Sequence, residues 1–460
     1  MSGVLSHLEW QNRLLQLERR PLVCAAAVFA TLVLRHVTIL VNPQLTWEDG
    51  RIFLTEALAR PWYDTWFSPF IGYYIVLPKM VASVFTPLTI LYAPLVFSLF
   101  SLAVMAFAIA LPIRRSFAPL APLPVRAMWV AACALLPWHT ETFGNITNIH
   151  WYVYYALTLY SLVDLSATPR SIRLLLPVLV LLGVFTTPNV VAIVPVLGVR
   201  MWMARHERRY QFYLHGATIL CTAAMVVLVR RLGEIDVPRL DGDLAALAMF
   251  VVKGLGYKVV VQSLAGGLAA RLMWHTAWYA SGALIFAVTF VELVRRARRQ
   301  ANGDASSFVL AGTGYYVVAS ILLAGLTRPQ YITHFVQLGN YWGADRYFVI
   351  PSFYFLLLGL LFLDRLGASA RSRVLRTAVA MVLAAAVAMN FRYAPIPDYH
   401  WRQQLHAYYQ RLLAYPLNAP PSTFAIVTYP GDPWILQAPL YGPDQSQRRT
   451  IRRLIQRTLP

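Results

Sequence analysis

Apolar runs alternate with short basic turns along almost the whole chain. The runs occupy 21–41, 87–113, 128–137, 149–165, 174–185, 190–203, 212–229, 278–294, 309–326, 347–363 and 377–389. Many approach the ~20 residues an α-helix needs to cross bilayer hydrocarbon. The expected fold class is all-α: a polytopic transmembrane helical bundle over 1–391, with about eleven spans. A small external tail follows at 392–460, and its strand-like stretch 423–428 hints at a folded unit.

Basic clusters orient the bundle. Arg19-Arg20, Arg114-Arg115, 205–209, 295–299 and 365–376 stand between apolar runs, as cytosolic turns do under the positive-inside rule. The loops 42–69, 230–275 and 327–346 then lie outside. Segment 70–85 is apolar but broken by Pro78 and carries Lys79. If both it and 87–113 crossed, Arg114-Arg115 would fall outside, so 70–85 is expected to be an interfacial or re-entrant helix. Runs 174–185 and 190–203 form a hairpin turning on Thr186-Thr187-Pro188-Asn189.

Composition agrees with lipid. Charged residues make up 13% of the chain and hydrophobic ones 58%, whereas soluble chains carry about 25% charged residues. In a soluble chain the net charge of +20 would point to nucleic-acid binding, but basic residues come in short clusters between apolar runs, as the positive-inside pattern predicts, which argues against nucleic acid as the partner. Basic turns also attract anionic headgroups. Cys24, Cys133 and Cys221 sit in apolar runs and have neither disulfide nor metal spacing. There is no phosphate-binding glycine loop and no dinucleotide fingerprint, so no nucleotide, haem or flavin is expected. Charges within the runs are scarce, which counts against an ion-coupled transporter.

Three external constellations could carry chemistry. The first is Trp47-Glu48-Asp49-Gly50-Arg51, conspicuous in a chain with 20 acidic residues. Either carboxylate could act as general base or ligate a divalent cation. Equally, Asp49 could simply cap a helix over 51–59. The second is Trp138-His139-Thr140-Glu141 with Asn145, Asn148, His150 and Trp151, where a helix enters the bilayer; an interfacial aromatic belt is the ordinary alternative. The third is Arg328, Tyr331 and His334, followed by 341–347 with Asp345 and Arg346. A guanidinium there could bind phosphate or snorkel at a helix end. Lys253 and Lys258 are weaker candidates for the same task.

Taken in order, these features resemble the GT-C superfamily of membrane glycosyltransferases, which use polyprenyl-phosphate-linked sugars. The likeness rests on Glu48-Asp49 after the first span, then Gly72-Tyr73-Tyr74 to Leu77-Pro78-Lys79, then Asn148-x-His150-Trp151, then Arg346-Tyr347-Phe348 and an external tail. It is similar to bacterial members, which implies the cytoplasmic (inner) membrane with an extracytoplasmic active site. The resemblance implies that Asp49 or Glu48 deprotonates the acceptor or holds a divalent cation, magnesium or manganese. It implies Arg346, helped by Arg328 or Lys79, at the donor phosphate, and Tyr73, Glu141, Asn148, His150 and Trp151 at the acceptor. Partners would be a polyprenyl-phosphate sugar donor, the lipid bilayer, and a glycan, lipid or protein acceptor. A further acidic pair is not evident; Glu141, Glu234, Asp236, Asp241 and Asp243 are unranked candidates. Competing readings are a lipid-linked glycan polymerase or flippase, and a non-catalytic membrane assembly protein in which Asp49→Ser would be nearly harmless.

Overall fold

The structure, a computed structural model, describes residues 16, 18–46, 48–70, 73–136, 140–165, 168–206, 208–231, 244–266, 278–298, 303–327, 332, 345–366, 370–391, 398–428 and 435–458. Most of it is helical. Among the described residues, seven helices are long and apolar enough to cross a membrane: Ile90–Ile113, Arg209–Arg231, Leu244–Gly266, Trp278–Arg296, Ser307–Thr327, Asp345–Asp364 and Arg373–Asn390. A bent pair, Ile172–Val184 with Pro188–Ala204, turns through 118° and raises the count to at most eight. The expected eleven are therefore not all spans by length. Pro21–Arg35, Leu123–Leu135 and Ile149–Leu162 are apolar but shorter than the ~20 residues a crossing requires.

Segment 70–85 does not cross: it holds the seven-residue helix Val76–Ala82. By contrast, 244–266, expected from the sequence to be external loop, is an apolar helix that continues through a π-helical stretch, Gly254–Val261. It packs tightly on Trp278–Arg298, and glycine makes this possible. A Cβ on Gly256 would lie 2.1 Å from the Tyr279 carbonyl oxygen, and one on Gly282 would lie 2.7 Å from that of Gly256. Small residues of this kind let membrane helices approach backbone to backbone.

The outer surface is apolar where a soluble protein would be charged. Leu284, Ile285, Val288 and Val291 are exposed on Trp278–Arg298, as are Val374, Met381, Val382 and Met389 on Ala370–Asn390. Contiguous exposed apolar faces of this extent are those of lipid-facing helices. Inside the bundle, polar side chains join neighbouring helices in pairs. Tyr154 bonds Ser320, Tyr316 bonds Ser161, and Tyr354 donates to Thr158. The Trp129 indole donates to the Phe353 carbonyl at 2.7 Å.

Two buried arginines fasten helix ends. Arg35, 1% exposed, donates to the carbonyls of Ala134 (2.7 Å), Leu136 (2.7 Å) and Phe391 (3.1 Å). It thereby satisfies orphan acceptors where two other helices end and places a cation at their negative poles. Arg126 does the same for Pro112, Ile113 and Arg114, the end of Ile90–Ile113, and pairs with Glu18 at 3.0 Å.

The tail folds as helix, hairpin, helix. We label its helices α1 (Trp401–Ala414) and α2 (Gln445–Thr458), and its strands β1 (Ser422–Val427) and β2 (Ile435–Leu440). The strands pair antiparallel with Ser422 opposite Leu440, so among the described residues the all-α expectation holds apart from this strand pair. Asp444 and Gln447 cap α2 reciprocally, each side chain accepting from the other's backbone N–H at 2.8 and 3.0 Å, a capping-box arrangement. The tail is not an appendage. Leu405, Tyr408, Leu412, Ile426 and Leu436 share one buried cluster with Phe53, Leu54, Ile90 and Phe97.

Candidate functional site

The site begins at the acidic pair. Asp49 opens the π-helical turn Asp49–Leu54 and is 2% exposed. It does not cap its own helix. Its Oδ1 accepts the Thr147 N–H at 2.9 Å and the Thr147 hydroxyl at 2.6 Å, and its Oδ2 accepts the Ile146 N–H at 3.2 Å. The carboxylate therefore ties the loop that carries Glu48-Asp49 to the turn that leads into Ile149–Leu162. Burial pushes its pKa up to about 7, against the pull of the Thr147 and Ile146 bonds and with a contribution from the Glu48 charge. Next door, Glu48 Oε2 is buried and has no hydrogen-bond partner among the described residues.

Gly50 explains why the pair stands on a glycine. A Cβ there would meet Thr428 Cγ2 at 2.8 Å and Leu45 Cδ1 at 3.3 Å. The end of β1 thus lies directly against the acidic loop, and β2 reaches it too, since the Gln437 N–H donates to Thr55 Oγ1 at 3.1 Å.

From Thr147 the connections continue along the chain. His150 Nδ1–H donates to the Thr147 carbonyl at 2.7 Å; a carbonyl can only accept, which leaves the lone pair of the neutral ring on Nε2. Asn145 and Asn148 both donate side-chain N–H to the Glu141 carbonyl, at 2.9 and 2.8 Å. The Asn148 N–H in turn donates to Asn145 Oδ1 at 2.9 Å. Glu141 then pairs with Arg346 at 2.8 Å and also accepts the Arg346 backbone N–H at 3.3 Å. Burial raises the Glu141 pKa above the usual carboxylate range, opposed chiefly by the Arg346 charge. Beside this pair, Lys258 donates to Asp345 at 2.5 Å.

Aromatic rings close the same region. Trp151 meets Tyr347 edge-on at 5.1 Å between centroids, His150 lies 4.9 Å from Trp151, and Tyr73 lies 6.5 Å from His150. Asn148 Oδ1 and Trp151 Nε1 are buried without hydrogen-bond partners among the described residues. Buried polar atoms normally have one.

The structure thus joins Glu48, Asp49, Tyr73, Glu141, Asn148, His150, Trp151 and Arg346 at one end of the bundle. One sequence candidate is not part of that group. Lys79 is fully buried and held by Glu56 at 2.9 Å and by the Ser68 carbonyl at 2.9 Å, so it fastens Val76–Ala82 to the loop helix Thr55–Ala59. Arg328 lies outside the described residues, as do Trp47, Gly72, Trp138, His139, Tyr331, His334, 341–344, Glu234, Asp236, Asp241 and Asp243. Lys258, a weaker candidate from the sequence, enters instead: it belongs to a helix rather than a loop and pairs with Asp345.

For a divalent cation, the acidic pair fits poorly. Both Asp49 oxygens already accept protein hydrogens, and no group of three His, Cys, Asp or Glu side chains suited to a metal occurs among the described residues.

A second buried network lies deeper in the bundle. His215 is held between the Tyr160 hydroxyl (2.7 Å) and the Gln211 amide (3.0 Å), and Gln211 also accepts the Leu165 N–H at 3.3 Å. This fastens the far end of Ile149–Leu162 to Arg209–Arg231.

Comparison with protein-family models, with curated proteins and with solved structures finds no match to this chain.

Proposed function

We propose that the chain is a membrane glycosyltransferase. It moves a sugar from a polyprenyl-phosphate donor to a glycan, lipid or protein acceptor, at the membrane face that carries Glu48-Asp49. One observation carries the reading: a continuous path of hydrogen bonds, backbone and ion pair joins the acidic loop to Arg346. That path passes through Thr147, Asn148 and Glu141. The reaction needs a carboxylate for the acceptor and cations for the leaving phosphate, and groups of both kinds lie along this path.

The roles divide by geometry. Asp49 has both oxygens engaged, so it is a positioning residue that holds the 146–148 turn. Glu48 Oε2 has no protein partner among the described residues and is the oxygen placed to take a proton. The acceptor hydroxyl attacks the anomeric carbon while its proton passes to Glu48. The bond between that carbon and the phosphate oxygen breaks, and the polyprenyl phosphate leaves with the electron pair. Arg346 and Lys258 are the cations that stabilise it. Both are paired in this structure, Arg346 with Glu141 and Lys258 with Asp345, so the leaving phosphate competes with those carboxylates for them. The apolar helices around the site supply hydrocarbon for the prenyl chain.

The test is sugar transfer from a labelled polyprenyl-phosphate sugar by the reconstituted full chain. Glu48→Gln and Arg346→Gln are expected to run as folded, membrane-inserted proteins on size exclusion. Their turnover should fall on the order of 10²- to 10³-fold, the usual scale for a lost general base or charge stabiliser. Wild-type rates in both variants would sink the proposal.

A further inference from the structure

Helix α2 (Gln445–Thr458) carries a one-sided charge that the reaction above does not use. It contains Arg448, Arg449, Arg452, Arg453 and Arg457 and no acidic residue. Ile451 and Leu454 are buried against α1, and Arg448 is occupied by the Pro443 and Leu413 carbonyls at 2.9 and 3.0 Å. The other four arginines are exposed. Their spacing of i, i+3, i+4 and i+8 sets them in one stripe on the face opposite the packing residues.

The stripe has a fixed position relative to the apolar helix Ile90–Ile113. The Arg457 guanidinium donates to the Tyr92 hydroxyl at 3.2 Å, and the Trp401 indole of α1 donates to the Leu91 carbonyl at 3.5 Å. Leu91 and Tyr92 form the first turn of the span Ile90–Ile113. The end of the stripe therefore stands where that span leaves the hydrocarbon, which is the depth of the headgroups. A free-standing charged helix face is ordinarily just solvated; this one is anchored at the membrane boundary by two contacts.

We propose that the arginine stripe of α2 binds the anionic phosphate headgroups of the bilayer in which the chain sits. Charge selects the ligand, since four guanidiniums with no neighbouring acid on the helix match phosphodiesters, and Arg pairs with phosphate bidentately. Position selects the source, because lipid phosphates lie at that depth at high local concentration. This inference does not depend on the transferase reading.

Hydrogen exchange on the full chain in nanodiscs tests it. One set of discs contains only phosphatidylcholine, and another contains roughly a third phosphatidylglycerol, enough to charge the surface. Amides of 445–458 are expected to exchange about tenfold more slowly in the anionic discs, and high salt should remove the difference by screening. In Arg449→Gln/Arg452→Gln/Arg453→Gln the two disc types should give equal rates. That variant alters only exposed side chains, and its exchange in phosphatidylcholine discs, matched to wild type, checks its fold. The salt arm uses wild-type protein and decides the question even if the variant misfolds. Equal wild-type rates in both discs would overturn the proposal. So would protection in phosphatidylcholine discs by added inorganic phosphate or dextran sulfate, which would indicate a free anion or a soluble polyanion as ligand.

Discussion

Asp49 shows how a side chain's meaning depends on what reaches it. From the sequence it could be a base, a metal ligand or a helix cap. In the structure it accepts three hydrogen bonds from a turn almost a hundred positions away. No local pattern announces that partner. The same holds for Glu141, which the sequence could not rank among five acids; its rank comes from Arg346, 205 residues downstream. Burial of Asp49 also has a thermodynamic consequence whose sign can be worked out. The folded chain holds the Asp49 proton up to about pH 7, whereas an unfolded Asp releases it near 3.8. Below that lower value both states are protonated and stability is at its full level. As pH rises from about 4 to about 7, the unfolded chain binds fewer protons than the folded one and stability falls. The fall is bounded by about 1.4 kcal/mol for each tenfold difference in proton affinity between the two states. Unfolding followed by circular dichroism in detergent should show this fall in wild type. In Asp49→Asn the pH slope in that window should be smaller; an unchanged slope would mean that Asp49 titrates normally.

At the scale of elements, hydropathy and punctuation located most of the helices. Pro78 and the arginine count placed 70–85 out of the span set, and the strand-like stretch of the tail is β1. The failure at 244–266 has a physical cause. Lys253 and Lys258 interrupt the apolar run and suggest a solvated loop, yet Lys258 is 1% exposed beside Asp345, and Lys253 lies 5.9 Å from the centre of the Tyr279 ring. A carboxylate distant in sequence pairs with Lys258 and an aromatic ring faces Lys253, and a count along the chain cannot see either. Arg35 is the converse case, a cation inside the apolar run 21–41 whose sequence neighbours name no partner. Its three carbonyl acceptors make it a fastener between helix ends. Arg35→Leu should destabilise the bundle by roughly 3 kcal/mol, because buried acceptors lose a charged donor. Arg35→Lys should recover part of that loss. Thermal unfolding of the detergent-solubilised variants would measure both, and a neutral Arg35→Leu would show that the bonds contribute nothing.

For the molecule as a whole, the tail matters more than its place at the end of the chain suggests. The sequence separated 392–460 from the bundle by composition, but the apolar side chains of α1 and β2 complete the core beneath the acidic loop. Composition records which residues prefer burial and not which neighbours they find. Removal of 398–460 would uncover Phe53, Leu54, Ile90 and Phe97 together. Such a truncated chain should still insert, because its apolar helices are intact. Limited proteolysis should then cut within 48–66 much faster than in the full chain, and equal protection would mean that the loop folds without the tail.

Arg126 bears on how the chain enters the membrane at all. Leu123–Leu135 is short and carries an arginine, so on its own it is a poor substrate for lateral release from a translocation channel. The acceptors that quench this charge are the carbonyls of residues 112–114 and of Ala121, which leave the ribosome just before it. The two helices can therefore partition into lipid as one preassembled pair during synthesis, with the guanidinium already sheathed by the helix that precedes it.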